Sequence, residues 1–188
     1  MKKIIFVFSA LFFSYAAFSQ NWDADYEKMN NFKMNLFSPI FRTASGFYER
    51  KISDNSSVQL GIAYTGWASD NFDIRIRGLM ITPEYRLYFG QYGAMEGFYI
   101  APYLRYSNLK VKNFEETSSG VLRSYGGGLN VGYQFVFKNI VTLDLFAGPK
   151  IGTKSLVYDN DNMPRDIKIP GILGGFGVRS GVALGITF

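Results

Sequence analysis

Cysteine and histidine are both absent from the 188 residues. Without cysteine there is no disulfide scaffold and no thiolate metal site. Without histidine there is no Ser-His-Asp or Cys-His nucleophile system, no imidazole general base and no His-ligated zinc. A large excess of one charge sign is also missing: the net charge is +5 with no basic run, which argues against a nucleic-acid binder. Long hydrophobic runs are missing beyond the first twenty residues, where nothing approaches the roughly 18 apolar residues of a spanning helix. A membrane location for this chain therefore implies strands, closed so that no backbone group faces lipid unpaired. No glycine-rich phosphate loop of Walker type occurs, and no cofactor is expected.

What is present begins with a leader. Met1-Lys2-Lys3 is cationic, Ile4 to Phe13 is apolar, and Ala17 and Ser19 are small. This is the pattern of a cleaved signal peptide over residues 1–19, leaving residues 20–188 as one domain. Removing the leader takes away two lysines and no acid, so +5 falls to +3. At the other end Val182, Leu184, Ile186 and Phe188 alternate with Ala183, Gly185 and Thr187. A period of two is a strand with one apolar face, and a terminal aromatic strand is what a barrel closing on its own first strand requires.

Eight such strands are expected, over about 32–41, 44–52, 57–67, 73–89, 97–111, 121–138, 140–153 and 176–188. The second, fourth and sixth connections are the shorter set, and the longest connection is the seventh, between Lys154 and Gly175. Short turns on the periplasmic side and longer loops outside fit a transmembrane barrel; the first connection, around Thr43, is short for an outer one. Large apolar residues share one face of each strand. In the sixth, Tyr125, Leu129, Val131, Tyr133, Phe135 and Phe137 oppose Ser124, Asn130, Gly132 and Gln134. In the fifth, Phe98, Ile100, Leu104 and Tyr106 oppose Tyr99, Tyr103, Arg105 and Ser107. The chain is rich in rings, with 13 Tyr, 18 Phe and 2 Trp. Phe89, Phe98, Phe135, Phe137 and Phe188 near one set of strand ends, and Tyr106 and Tyr125 near the other, read as two interfacial girdles. Pro83 and Pro102 fall at similar height on neighbouring strands, where bulges or a local gap are expected. Gly126-Gly127-Gly128 is expected to mark a bend or close strand approach.

Ionisable residues on the polar face are Lys33, Glu49, Glu84, Arg86, Arg105, Asp144, Lys150 and Arg179. Charges inside a narrow barrel are costly unless paired, and an eight-stranded barrel is only wide enough for its own side chains. The set therefore reads as a filled polar lumen. The sharper alternative is a catalytic or conducting site built on Glu49, Glu84 and Asp144, since paired carboxylates can do acid–base work without histidine. Asp159-Asn160-Asp161-Asn162 with Asp166 is an oxygen-rich patch. It lacks the Gly and terminal Glu of a calcium loop, positions held here by Pro164 and Pro170, and no metal site is assigned to it.

Lys33-Met34-Asn35-Leu36, Tyr48-Glu49-Arg50, Ile81-Thr82-Pro83-Glu84-Tyr85-Arg86 and the final Phe188 resemble a family of small outer-membrane β-barrels of Gram-negative bacteria, OmpA-like in architecture. The resemblance implies location and architecture, with the barrel assembly machinery as a folding partner that reads Val182, Leu184, Ile186 and Phe188. The expectation is an all-β, eight-stranded antiparallel up-and-down transmembrane barrel in the outer membrane. Its role would be structural or surface-interacting and non-enzymatic, with outer-membrane lipids around it and an unknown ligand left open at the outer loops. The alternatives are a lipid-modifying enzyme on the same scaffold, and a secreted soluble barrel carrying a small apolar ligand with the two faces reversed.

Overall fold

The computed structural model describes residues 28–69, 74–90, 93–113, 119–153, 155–158 and 175–188. The leader, residues 1–19, and the Asp159–Asp166 patch lie outside the described residues.

Alternating apolar and polar side chains set the chain into β1 (Asn30–Asn35), β2 (Thr43–Ser53), β3 (Ser56–Ser69), β4 (Ile74–Phe89), β5 (Gly97–Asn113), β6 (Ser119–Phe137), β7 (Val141–Gly152), β8 (Ser155–Tyr158) and β9 (Gly175–Thr187). The strands pair antiparallel with their neighbours, and β9 pairs with both β7 and β1, so the sheet closes. The short β8 continues the line of β7 along the upper part of β6. Among the described residues, nine strands thus form eight staves of an up-and-down barrel. The seam joins the first strand to the last, with Asn31 opposite Thr187 and Asn35 opposite Ala183. Below it, the Asn30 and Phe188 backbones bond each other in both directions, at 3.1 and 2.9 Å. The closure spares that edge unpaired donors facing solvent or lipid.

Sidedness follows the alternation. Val58, Leu60, Ile62 and Tyr64 on β3, Leu104 on β5, and Leu129, Val131, Tyr133, Phe135 and Phe137 on β6 face outward and are exposed. Gln59, Thr65, Tyr99, Tyr103, Asn130, Gln134, Thr142 and Asp144 face inward and are buried. The greasy face is outside. The soluble-carrier alternative required the reverse.

Three expectations are refined or corrected by the strand pairing. The first strand ends at Asn35 rather than at 41. The Asn35 side chain accepts a bond from the Phe37 N–H at 3.0 Å, an Asx turn that leads the chain out of the ladder. Pro39 then sits in a 3-10 turn (Ser38–Phe41), at its first positions, where a missing donor is harmless. The first connection is therefore 36–42, with Thr43 already in β2. Its residues Leu36, Phe37, Ile40 and Phe41 are all exposed.

The second concerns the prolines: of the bulges or local gap expected at Pro83 and Pro102, the gap forms. Pro83 keeps its partner Leu60 on β3 and Pro102 keeps Leu129 on β6. Between β4 and β5 the ladder is interrupted beside them, yet Ile81–Tyr106, Glu84–Tyr103 and Leu87–Ile100 hold one stagger throughout. The result is a gap without a bulge. Pro149 behaves alike, paired regularly with Val178 but interrupting the β6–β7 ladder. Each proline interrupts pairing on one side only. Third, the shift of register that does occur lies between Lys51 and Ser53, beside the β2–β3 turn, and not at a proline.

The glycines of β6 mark close approach, as expected. A Cβ on Gly128 would collide with the Pro149 carbonyl oxygen, leaving no room for any side chain.

Candidate functional site

Among the described residues, the barrel's interior is where the chain concentrates chemistry. Six of the eight residues predicted to line it meet there. Lys33 rises from β1 and its Nζ lies 2.6 Å from Glu49 Oε2 on β2 and 2.9 Å from Asp144 Oδ2 on β7. Arg86 on β4 reaches Asp144 Oδ2 at 2.8 Å through Nη1 and Glu84 Oε1 at 2.8 Å through Nε. Arg179 on β9 completes the chain with Glu84 Oε2 at 2.6 Å. Three cations face three carboxylates, so the cluster is formally neutral. Every member is buried.

Neutral groups also donate to the carboxylates. The Tyr88 and Ser57 hydroxyls donate to Glu49 Oε1, and the Tyr99 hydroxyl donates to Asp144 Oδ1 at 2.7 Å. Asn130 Nδ2 donates to Glu84 Oε2 at 3.0 Å, and Gln134 Oε1 accepts from Lys33 at 2.8 Å. Every oxygen of Glu49, Glu84 and Asp144 thus carries at least one donor. That satisfaction is what makes ions tolerable away from water. A substrate proton approaching any of these oxygens would meet a cation, an amide or a hydroxyl already held against it.

Aromatic rings pack around the ions. Arg86 lies 4.3 Å from the centroid of Tyr99, while Arg179 lies 4.6 Å from that of Tyr103 and 4.8 Å from that of Phe146. Phe47 meets Phe146 edge to face at 6.1 Å. At the end holding the termini, the 90–96 connection is bound to the wall from two sides. Gln134 Nε2 donates to the Met95 carbonyl, and the Ala94 N–H donates to that of Asp54 at 2.6 Å. Met95 is buried as a result.

Arg105 and Lys150 stand apart from the cluster. Arg105 is half-buried and donates to Thr82 Oγ1 at 3.1 Å. With Lys150, Tyr103, Ser107 and Ser124 it lines a cavity of about 40 Å³ nearer the far end. Sequence reasoning missed Lys51, buried and 3.8 Å from Asp54, although it shares the parity of Glu49. It also gave no role to the hydroxyls of Tyr88 and Tyr99. Their position on the polar face was the available signal.

Val182, Leu184, Ile186 and Phe188 line up on the outward face of β9, and the last three are exposed.

Residues 4–165 match the family described as "Protein of unknown function (DUF3575)". The chain belongs to that family. No match to this DUF3575 chain was found among curated proteins. Among solved structures, the N-terminal β-barrel domain of OprF from Pseudomonas aeruginosa is similar, with a TM-score of 0.53 and 13% identity over 86% of this chain and 96% of that one. A major outer membrane protein from Thermus thermophilus gives a TM-score of 0.42 at 13% identity, over 86% and 98% of the two chains. At such identity the likeness to the OprF domain speaks to the fold alone, and it agrees with the closed barrel.

Proposed function

We propose that this chain is an integral barrel of the outer membrane, non-enzymatic, with its lumen closed by its own side chains and its far-end connections available for structural or surface interactions. One observation carries the reading: large apolar side chains cover the outside, while a formally neutral cluster of ion pairs occupies the inside. In water the outer wall would be an apolar surface far beyond what a monomer leaves uncovered. In lipid it is the low-energy surface. The likeness to the OprF barrel domain supports the same architecture. Lipids then surround the wall, and the assembly machinery reads the β9 signal Val182, Leu184, Ile186 and Phe188.

Carboxylates held by cations and hydroxyls on every oxygen favour a structural core over an acid–base site. Reconstitution into planar bilayers tests the closed lumen. The reading predicts a detergent-extracted protein with a heat-dependent gel shift and no ion steps. Stable unitary conductance overturns the plug, and a protein soluble without detergent overturns the membrane barrel. An altered lipid A profile in cells carrying the protein, against cells lacking it, overturns the non-enzymatic role.

A further inference from the structure

Among the described residues the outward face of the strands carries few charges: Arg50 on β2 near one end, and a group confined to the other. Arg75 and Arg77 on β4, Lys110 on β5 and Arg123 on β6 all point outward near the end away from the termini, and all are exposed. The register brings them together. Arg77 lies directly opposite Lys110, and Arg123 lies opposite Asn108, one diagonal step from Lys110. Directly opposed side chains of a ladder stand about 5 Å apart and diagonal ones about 7–8 Å. Among the described residues no acid pairs with Arg77, Lys110 or Arg123.

Like charges placed opposite one another on a sheet destabilise it, and an anion seated against them relieves that cost. Its height says which kind. Along β5, Lys110 follows Tyr106 by four residues, and along β6, Arg123 precedes Tyr125 by two. Tyr106 and Tyr125 themselves pack ring to ring across the two strands, with centroids 5.1 Å apart. Passing from the middle outward, the wall thus runs from Leu104 and Leu129 through paired tyrosines to cations. Lipid presents the complementary order of acyl chain, interface and headgroup phosphate. A merely solvated rim would be polar all round. This one is not, since the same end of the barrel carries Ile151 on β7 and Phe176 and Val178 on β9, exposed by 68%, 76% and 71%.

We propose that the outward patch of Arg77, Lys110 and Arg123 is a binding site for the headgroup phosphates of an anionic lipid in the leaflet at the far end of the barrel. The inference rests on the membrane-barrel reading and adds a partner of defined chemistry on one defined arc of the circumference. The phosphates neutralise the opposed cations, and the acyl chains lie along Leu79, Leu104 and Leu129 below.

The test is native mass spectrometry of the detergent-solubilised full chain with lipid A, its dephosphorylated form and phosphatidylcholine as separate probes. The wild type retains lipid A in preference to the other two, and inorganic phosphate does not displace it. Each cation removed weakens binding about fivefold, so Arg77→Ser/Lys110→Ser/Arg123→Ser loses on the order of a hundredfold. Arg77→Lys keeps most of the affinity, and Arg50→Ser, on the outward face at the opposite end, leaves it unchanged. The heat-dependent gel shift reports folding of each variant, and the three single substitutions carry the test if the triple variant does not fold. A folded triple variant that binds as the wild type does, or equal binding of phosphorylated and dephosphorylated lipid, overturns the proposal alone. A wild type that is soluble without detergent overturns the barrel reading and the proposal with it.

Discussion

Replacing Lys33 by methionine largely keeps the length of the stem and removes the ammonium. Its Nζ stands 2.6 Å from one carboxylate oxygen and 2.9 Å from another. At an effective dielectric constant of about 20, each contact amounts to roughly 6 kcal/mol of attraction. Most of that gross sum is offset by the desolvation of ions taken from water, several kcal/mol for each. Loss of the cation leaves Glu49 and Asp144 facing one another across the lumen with Arg86 to serve both, and the cluster carries one net negative charge. Breaking a buried pair in this way costs about 3–5 kcal/mol. The double variant Lys33→Met/Asp144→Asn restores neutrality, with Arg86 and Arg179 against Glu49 and Glu84. It should cost less than the two single changes together, by about 0.5–3 kcal/mol of coupling. Urea unfolding in detergent micelles, followed by fluorescence and by gel mobility, measures both. A loss below about 1 kcal/mol for Lys33→Met, or strict additivity in the double variant, would refute the claim that these groups act as one charge-balanced unit.

Leu104→Arg places a cation on the outward wall near the middle of β5 and should cost about 2–4 kcal/mol when unfolding is measured in lipid vesicles; an unchanged midpoint there would mean that Leu104 does not face hydrocarbon. Gly132→Val should lose about 1–3 kcal/mol by overpacking, because a Cβ there would meet the Tyr99 ring at 2.5 Å and the Leu145 carbonyl at 2.6 Å. The same change should release the Tyr99 hydroxyl from Asp144, visible as altered near-ultraviolet dichroism of the tyrosines. Phe188→Ser keeps the strand but removes the last outward ring, and should lower the amount of barrel in outer-membrane fractions of expressing cells while leaving refolding into detergent unaffected. Equal amounts in the membrane would show that the assembly machinery does not read that ring.

The wall of the barrel was legible because one pattern repeats with a fixed period. On β6 the residues from Leu129 to Phe135 alternate without a break, and a strand buried on one face has no freedom to slip by one residue. The first strand was overextended because Leu36, Phe37, Ile40 and Phe41 are apolar in any conformation. The decisive signals there were local, the Asn35 side chain turning back on the backbone and Pro39 opening a 3-10 turn. At Pro83 and Pro102 a rule about missing donors left a choice between bulges and a local gap, and the gap is what forms. What that rule does not foresee is the regular pairing kept on the outer flanks of both prolines.

The lumen divides in the same way. Parity alone put Lys33, Glu49, Glu84, Arg86, Asp144 and Arg179 inside, whereas the pairing among them was beyond it. Lys33 and Asp144 are 111 residues apart, and only the closure of β9 on β1 and β7 brings them into contact. Parity likewise could not tell that Arg105 and Lys150 lie beyond the cluster. Depth along the axis depends on the stagger between strands, and no single strand encodes that stagger.

The absence of native cysteine makes one measurement unusually clean. Single cysteines at Leu104, Leu129 and Leu145, and at Asn130 and Thr142, can be introduced into protein reconstituted in vesicles, then challenged with a water-soluble maleimide and read by a spin label against lipid-borne oxygen. The outward set should resist the maleimide and relax with oxygen as a group in hydrocarbon does, while the inward set should be protected from both. Rapid maleimide labelling at position 104 or 129, with oxygen relaxation at 130 or 142 instead, would contradict a wall that faces lipid around an ionic interior.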